Sequence, residues 1–260
     1  MPDLAARART LLQLQTDPRI LVLANVWDVT SARVVAGTPG TGALATASHA
    51  IAAAHGFEDG EQLPLESHLD VVRRISAAVD LPLSVDMEAG YGDPGGTTAQ
   101  AIAAGAVGGN LEDALRPRDE AVAAVGEVLA AGRAAGIDFV LNARTDVVLL
   151  APDDADRAAL LAEAADRGRA FLAAGAAAVF VPGVVAADEI AALVGALGRG
   201  RLSVLAVPGA TPPVAELERL GVARVSTGPF AQRAALTALQ DVTAELLAGG
   251  VLPPGTRMLS

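Results

Sequence analysis

Cysteine is absent from the sequence, and so is lysine: all 19 basic residues are arginine. The first absence excludes disulfides, thiolate nucleophiles, cysteine-ligated zinc and iron–sulfur clusters. The second excludes Schiff-base aldolase chemistry, pyridoxal-phosphate anchoring and a phosphate-binding P-loop, each of which needs a lysine amine. Positive charge is scarce altogether. The formal net charge of −11 argues against nucleic acid or an anionic membrane surface as a partner. The longest apolar run, Phe171 to Ala187, is interrupted by Gly175, Pro182 and Gly183, too often for a membrane span. Met1 to Thr10 leads into no signal-like apolar stretch, so the expectation is a cytoplasmic protein. Aromatic residues make up only 3% of the 260 positions against 52% hydrophobic. A core of Ala, Val, Leu and Gly suits helices packed closely on a sheet. Any catalysis must come from carboxylates, arginine, hydroxyls, three histidines or a metal.

From Leu21 onward, short β-like runs alternate with amphipathic stretches. Strands are expected at Leu21–Val26, Gly42–Thr46, Pro82–Asp86, Val107–Glu112, Phe139–Ala143, Ala177–Val181, Leu202–Ala206 and Ala223–Ser226. Most are continuous apolar runs, as parallel strands buried on both faces require. Helices are expected near Ala32–Ala36, His68–Val79, Thr98–Ala104, Glu120–Ala135, Asp154–Ala174, Ala187–Leu197, Pro213–Leu220 and Phe230–Leu247. Eight βα units in unbroken series, with no linker between them, predict a (β/α)8 TIM barrel in one domain spanning 1–260, with 248–260 as a C-terminal tail. A doubly wound open sheet is the alternative, but the first strand runs into Asn25-Val26-Trp27-Asp28 and carries no GxGxxG.

Barrel enzymes place their chemistry at the C-terminal ends of the strands. Those ends carry Asn25 and Asp28, then Thr46 and Ser48, then Asp86 and Glu88, then Asn110, Glu112 and Asp113, then Asn142, Arg144 and Asp146. Asp86 and Glu88, two apart in an extended segment, share a face, and Glu112 ends the neighbouring strand roughly 5 Å away. Three converging carboxylates repel one another unless a cation sits among them. Oxygen donors with no cysteine or histidine cluster favour a hard ion, Mg²⁺, with Mn²⁺ as a substitute. Arg144 then offers a planar fork to a substrate carboxylate. A lone acid at a strand end is more often a helix cap or surface charge, and Asp113 and Asp146 are read that way, as ion-pairing or capping groups. The segment from Ala89 to Gly96 is a weak, glycine-rich ligand-loop signal. The long connection from His49 to Leu65, with Glu58, Asp59 and Glu61, has the length of a lid. His49 and His55 are candidate proton shuttles, with a structural role favoured for His55 and His68.

Three stretches, Ser84-Val85-Asp86-Met87-Glu88-Ala89-Gly90-Tyr91-Gly92, Asn110-Leu111-Glu112-Asp113 and Asn142-Ala143-Arg144-Thr145-Asp146, together resemble the isocitrate lyase/phosphoenolpyruvate mutase superfamily. Asn25-Val26-Trp27-Asp28 looks like that family's first βα turn, and the likeness runs from about Leu21 to Leu247. The resemblance implies a homo-oligomer, commonly a tetramer, whose last helix swaps between subunits. It implies Mg²⁺ bound directly by Asp86, with Glu88 and Glu112 holding metal waters. It implies substrate contacts at Ala47, Ser48, His49, Asp86 and Arg144, with Arg118 near a basic position of phosphonate-active members. It also implies that Asp59, in Gly56-Phe57-Glu58-Asp59-Gly60, is the gating-loop aspartate.

The departures matter as much. The lyases carry a cysteine-containing Lys-Lys/Arg-Cys-Gly-His loop after strand four, where this sequence reads Ala114-Leu115-Arg116-Pro117-Arg118-Asp119-Glu120. The mutases carry a histidine after strand six, where this sequence has Pro182. The expectation is therefore a Mg²⁺-dependent enzyme that cleaves a C–C bond of a small α-keto or 2-hydroxy dicarboxylate through an enolate, with Asp59, Glu112 and Arg144 as catalytic residues. Decarboxylation needs the fewest acid–base groups, because CO₂ leaves without accepting a proton. The alternatives are P–C bond chemistry on phosphonopyruvate or a carboxyphosphonate, and a metabolite-binding barrel without turnover.

Overall fold

The computed structural model describes residues 3–259. Eight parallel strands close into a barrel. The first, β1, runs in two pieces, Leu21–Leu23 and Asn25–Val26, broken at Ala24; it is followed by β2 (Leu44–Thr46), β3 (Leu83–Asp86), β4 (Gly108–Glu112), β5 (Val140–Arg144), β6 (Ala178–Phe180), β7 (Leu202–Leu205) and β8 (Arg224–Ser226). The two pieces of β1 face opposite neighbours. Leu21 registers with Arg224 of β8, and Asn25 registers with Ala45 of β2. That division closes the ring, and Asn25 clips it: its amide donates to the Thr46 carbonyl (2.6 Å), and its side-chain oxygen accepts from the Gly228 N–H (2.7 Å).

The helices are α1 (Leu4–Thr16), α2 (Val29–Ala36), α3 (Ser48–Ala54), α4 (Leu65–Ala78), α5 (Pro94–Ala103), α6 (Arg118–Ala134), α7 (Arg157–Ala173), α8 (Ala187–Leu197), α9 (Val214–Leu220) and α10 (Phe230–Leu247). Each expected strand and helix forms, with shifted ends, and two helices form that the periodicity did not predict. The first is α1, which buries Ala8, Leu11 and Gln15. Leu11 packs so close to Gly108 that a Cβ there would lie 2.7 Å from it. The second, α3, occupies the start of the long connection after β2 and leaves 55–64 irregular. Asp28, a strand-end polar residue in the sequence, is the N-cap of α2, in a capping box with Ser31.

Small aliphatic side chains from strands and helices form one continuous buried cluster. Inside the ring the packing is polar instead. Ser203 donates to Asn142 (2.7 Å), which donates to Asn110 (2.8 Å), and the wholly buried Arg224 reaches Ser84 (3.1 Å). A contact between β8 and β3, three strands apart round the ring, passes through the interior. Among the described residues no helix is long and apolar enough to cross a membrane.

Candidate active site

The C-terminal ends of β2 to β5 gather the acidic and basic groups. Asp86 ends β3 and is buried, its own N–H donating to the Thr46 hydroxyl (3.0 Å). Its Oδ2 accepts two bonds from Ser48, from the backbone N–H (3.2 Å) and from the hydroxyl (3.0 Å). Ser48 stands at the start of α3 with Ala47 as N-cap, so the carboxylate sits against the positive end of a short helix. The Ser48 hydroxyl also lies 2.9 Å from Asp59 Oδ1, bringing the irregular segment to the same point. His49 lies beside it, 3.7 Å from Asp59 and 3.4 Å from Arg233 of α10.

Glu88 follows β3 with φ of +50°, a left-handed conformation that costs a non-glycine residue on the order of 1 kcal/mol. Two further residues in contact with it share the feature: Glu61 at +63° and Tyr91 at +50°. The Tyr91 hydroxyl donates to Glu88 (2.8 Å), the Glu61 N–H donates to Glu88, and the Tyr91 N–H donates to Glu61 (2.6 Å). Strain and mutual bonding thus fall together where the segment after α3 meets the loop after β3. Burial raises the Glu88 carboxyl above the usual glutamate range, against the pull of Tyr91 and Glu61. Burial and the Glu88 charge push the Tyr91 phenol upward, so it stays a donor. The glycine-rich stretch is a structural turn: Gly90 adopts φ of +93°, and Asp93 caps α5 on Gly96.

Glu112 and Arg144 end adjacent strands in register and pair at 2.8 Å. Arg144 also holds Asp146 through Nε at 2.7 Å, while its Nη2 makes no hydrogen bond among the described residues. Burial pushes the Glu112 carboxyl up to about 8, opposed by Arg144 and reinforced by the charges of Asp146, Asp86 and Glu88. Burial alone would lower Arg144, but Glu112, Asp146 and Asp86 overcome it and keep the guanidinium charged. Asp113 and Asp146 are ion-pairing groups as the sequence reading had them. Asp113 pairs with Arg167 at 3.1 Å and accepts from the Asp146 N–H at 3.0 Å.

Asp86, Glu88, Glu112, Arg144, Asp59, Ser48, Ala47 and His49 therefore share one end of the barrel. Arg118, six residues past Glu112 at the start of α6, is half exposed and has Asp119 at 3.8 Å as its ion contact. His55 caps α3 through the Ile51 carbonyl (2.9 Å), and His68 is buried edge-on to Tyr91, where burial lowers its pKa. The three acids are hard oxygen donors suited to a divalent cation held partly through water. Each is also turned to a partner of its own, and among the described residues no three acidic or imidazole groups form a closed cage. Tyr91 and Arg224 carried no role in the sequence reading. Tyr91 sits inside a quoted motif as the single tyrosine, a signal that was there to be used, whereas the reach of Arg224 across the ring is set by register.

The family model for phosphoenolpyruvate phosphomutase matches residues 11–247, so the chain belongs to that family, within the isocitrate lyase/phosphoenolpyruvate mutase superfamily that the motifs resemble. Among solved structures, a Burkholderia cenocepacia J2315 protein provisionally assigned as a phosphonomutase is 41% identical, with a TM-score of 0.85 over 95% of this chain and 100% of that one. An oxaloacetate acetylhydrolase in complex with its product oxalate is 26% identical, with a TM-score of 0.84 over 99% of this chain and 91% of that one. An oxaloacetate decarboxylase of Bradyrhizobium sp. is 28% identical over 95% of this chain and 87% of its own length. A phosphonopyruvate hydrolase of Variovorax sp. is 28% identical over 81% and 77%. Relatives in this superfamily are lyases, mutases and hydrolases, and the chain is an enzyme of that superfamily.

Proposed function

From membership of this family, we propose that the chain is a Mg²⁺-dependent lyase that cleaves a C–C bond of a small α-keto or 2-hydroxy dicarboxylate, with decarboxylation of oxaloacetate as its simplest form. The observation that carries it is the pairing of Arg144 with Glu112 beside Asp86 at one barrel mouth, in a chain with no cysteine and with Pro182 after β6. Asp86 would hold the cation directly, and Glu88 and Glu112 would hold it through water. When bound, Mg²⁺ (or Mn²⁺) supplies electrostatic stabilisation of negative charge developing on the keto oxygen. Arg144 would grip a substrate carboxylate through its Nη2 edge, and the α3 N-terminus at Ala47 to His49 would bind the other end. The C3–C4 bond breaks, its electron pair moves into the enolate, and CO₂ departs. One proton, delivered to C3 from the side of Asp59 or Glu112, completes pyruvate.

The cysteine that serves as acid in the lyase members is not required to release CO₂, which leaves without accepting a proton. A second reading, hydrolysis of a P–C bond in phosphonopyruvate, draws on the Variovorax relative and would use Asp59 or a water as nucleophile. The chain would associate with copies of itself through α10, which buries only Gln232 while exposing Leu236 and Leu239. The test incubates the protein and Mg²⁺ with oxaloacetate, phosphonopyruvate and 2-methylisocitrate, following pyruvate and phosphate. Pyruvate from oxaloacetate is expected. Phosphate released from phosphonopyruvate, with oxaloacetate untouched, would replace this reading with the second.

A further inference from the structure

Arg224, the first residue of β8, is 2% exposed and is the one buried arginine among the described residues. Its Nη1 donates to the Ser84 hydroxyl at 3.1 Å, and Nε and Nη2 have no hydrogen-bond partner among the described residues. No carboxylate lies within ion-pair distance of it among them. An arginine buried on such terms is a poor stabiliser: its desolvation is large, and a well-packed apolar side chain of similar volume is commonly neutral or better in its place. A position that breaks the packing rules this plainly is where function is to be sought.

The placement says what that function is. Ser84 and Asp86 are two apart on β3, so they point to the same side of the sheet, about 7 Å from each other. The guanidinium therefore lies one layer beneath the Asp86 carboxylate, which is the charge that favours its protonated form against burial. The mouth above it holds Asp59, Asp86, Glu88, Glu112 and Asp146, and Arg144, between Glu112 and Asp146, is the one arginine ion-paired there. An anionic substrate entering such a mouth meets carboxylate repulsion, which Arg144 and a bound cation offset from within and a positive charge below would offset further.

We propose that Arg224 is a positioning residue for anionic substrate: a cation fixed beneath Asp86 that holds negative charge at the mouth through its field, with the Ser84 hydroxyl fixing its place. The inference rests on the lyase reading above. A field acts on the two kinds of ligand with opposite sign, which a merely structural side chain does not. Loss of the charge should favour a bound cation and disfavour a bound anion. Across about 7 Å at an effective dielectric of about 20, one charge changes the affinity of a singly charged group by roughly ten- to fiftyfold.

The experiment measures calorimetric binding of Mn²⁺ alone, and of oxalate at saturating Mn²⁺, by the full chain and its Arg224→Met, Arg224→Lys and Ser84→Ala variants. In Arg224→Met, oxalate affinity should fall at least tenfold while Mn²⁺ affinity rises at least tenfold, with thermal stability unchanged or higher. Arg224→Lys should recover most of the oxalate affinity, and Ser84→Ala should lose a few-fold of it with no change in charge. Equal oxalate binding by wild type and a folded Arg224→Met would overturn the proposal alone. Parallel loss of both ligands and of stability would overturn it too, marking Arg224 as a packing residue. If Arg224→Met does not fold, Ser84→Ala decides: unchanged oxalate affinity there overturns the proposal. Wild-type protein that binds no oxalate with Mn²⁺ would overturn the lyase reading and this inference with it.

Discussion

Replacing Asp86 with asparagine removes one negative charge and little else. An asparagine at that position keeps an oxygen that can accept the two Ser48 bonds now made at 3.2 and 3.0 Å, so the junction of β3 and α3 should survive. The lost term is electrostatic. Two unit charges 4 Å apart at an effective dielectric of about 20 interact by about 4 kcal/mol, and a dication doubles that figure. Desolvation of the ion and the retained amide oxygen offset more than half of it. A net loss of about 3 kcal/mol corresponds to a weakening of Mn²⁺ binding by roughly two hundredfold. Stability should change little. Asp86 raises the pKa values of Glu88 and Glu112 by repulsion but also favours the charged forms of Arg144 and Arg224, so the two effects oppose, and the metal-free variant should melt within about 5 °C of the wild-type temperature. Isothermal titration with Mn²⁺ and thermal melts with and without the ion read both effects. An Asp86→Asn protein that binds Mn²⁺ within threefold of wild type would show that the cation is held elsewhere.

Two further outcomes follow from the same geometry. With its carboxyl pushed up to about 8, Glu112 keeps its proton in the folded metal-free state over a range where the unfolded chain has lost it; stability should therefore fall as pH rises through that window. Melting temperature in a chelator should be lower at about pH 8.5 than at about pH 5.5, with Mg²⁺ narrowing the gap; a rise toward alkaline pH would contradict the assignment. On α10, Leu236 and Leu239 are 54% and 62% exposed, and their joint replacement by glutamate should shift the particle to a smaller mass in light scattering; an unchanged mass would put the subunit contact elsewhere.

The barrel was legible because parallel strands buried on both faces are unmistakable as short apolar runs, and the glycines after the helices punctuate them. Helix α1 escaped notice since its buried face consists of Ala8, Leu11 and Gln15, a stripe with one large apolar residue. Helix α3 hid in an alanine-rich stretch only seven residues long. At the proposed site, the strand-end rule picked out Asp86, Glu112 and Arg144, which the fold brings to one barrel mouth. It could not find the Glu61–Glu88–Tyr91 contact, which depends on three left-handed backbones, nor Arg224, whose direction depends on which face of a three-residue strand turns inward.

The split of β1 between two neighbours bears on how the chain acquires its structure. The bond from the Asn25 N–H to the Thr227 hydroxyl joins positions 202 residues apart, so the ring cannot shut until Thr227 has left the ribosome. Loop-closure entropy of that order makes late sealing slow relative to the pairing of adjacent βα units. Until then both β1 and β7 present an unpaired edge, and the nascent chain is most exposed to aggregation. Arg224 rides on the strand that seals the ring. The costliest charge in the interior is therefore desolvated in the last step, and variants at that position should alter the rate of sealing as well as the chemistry.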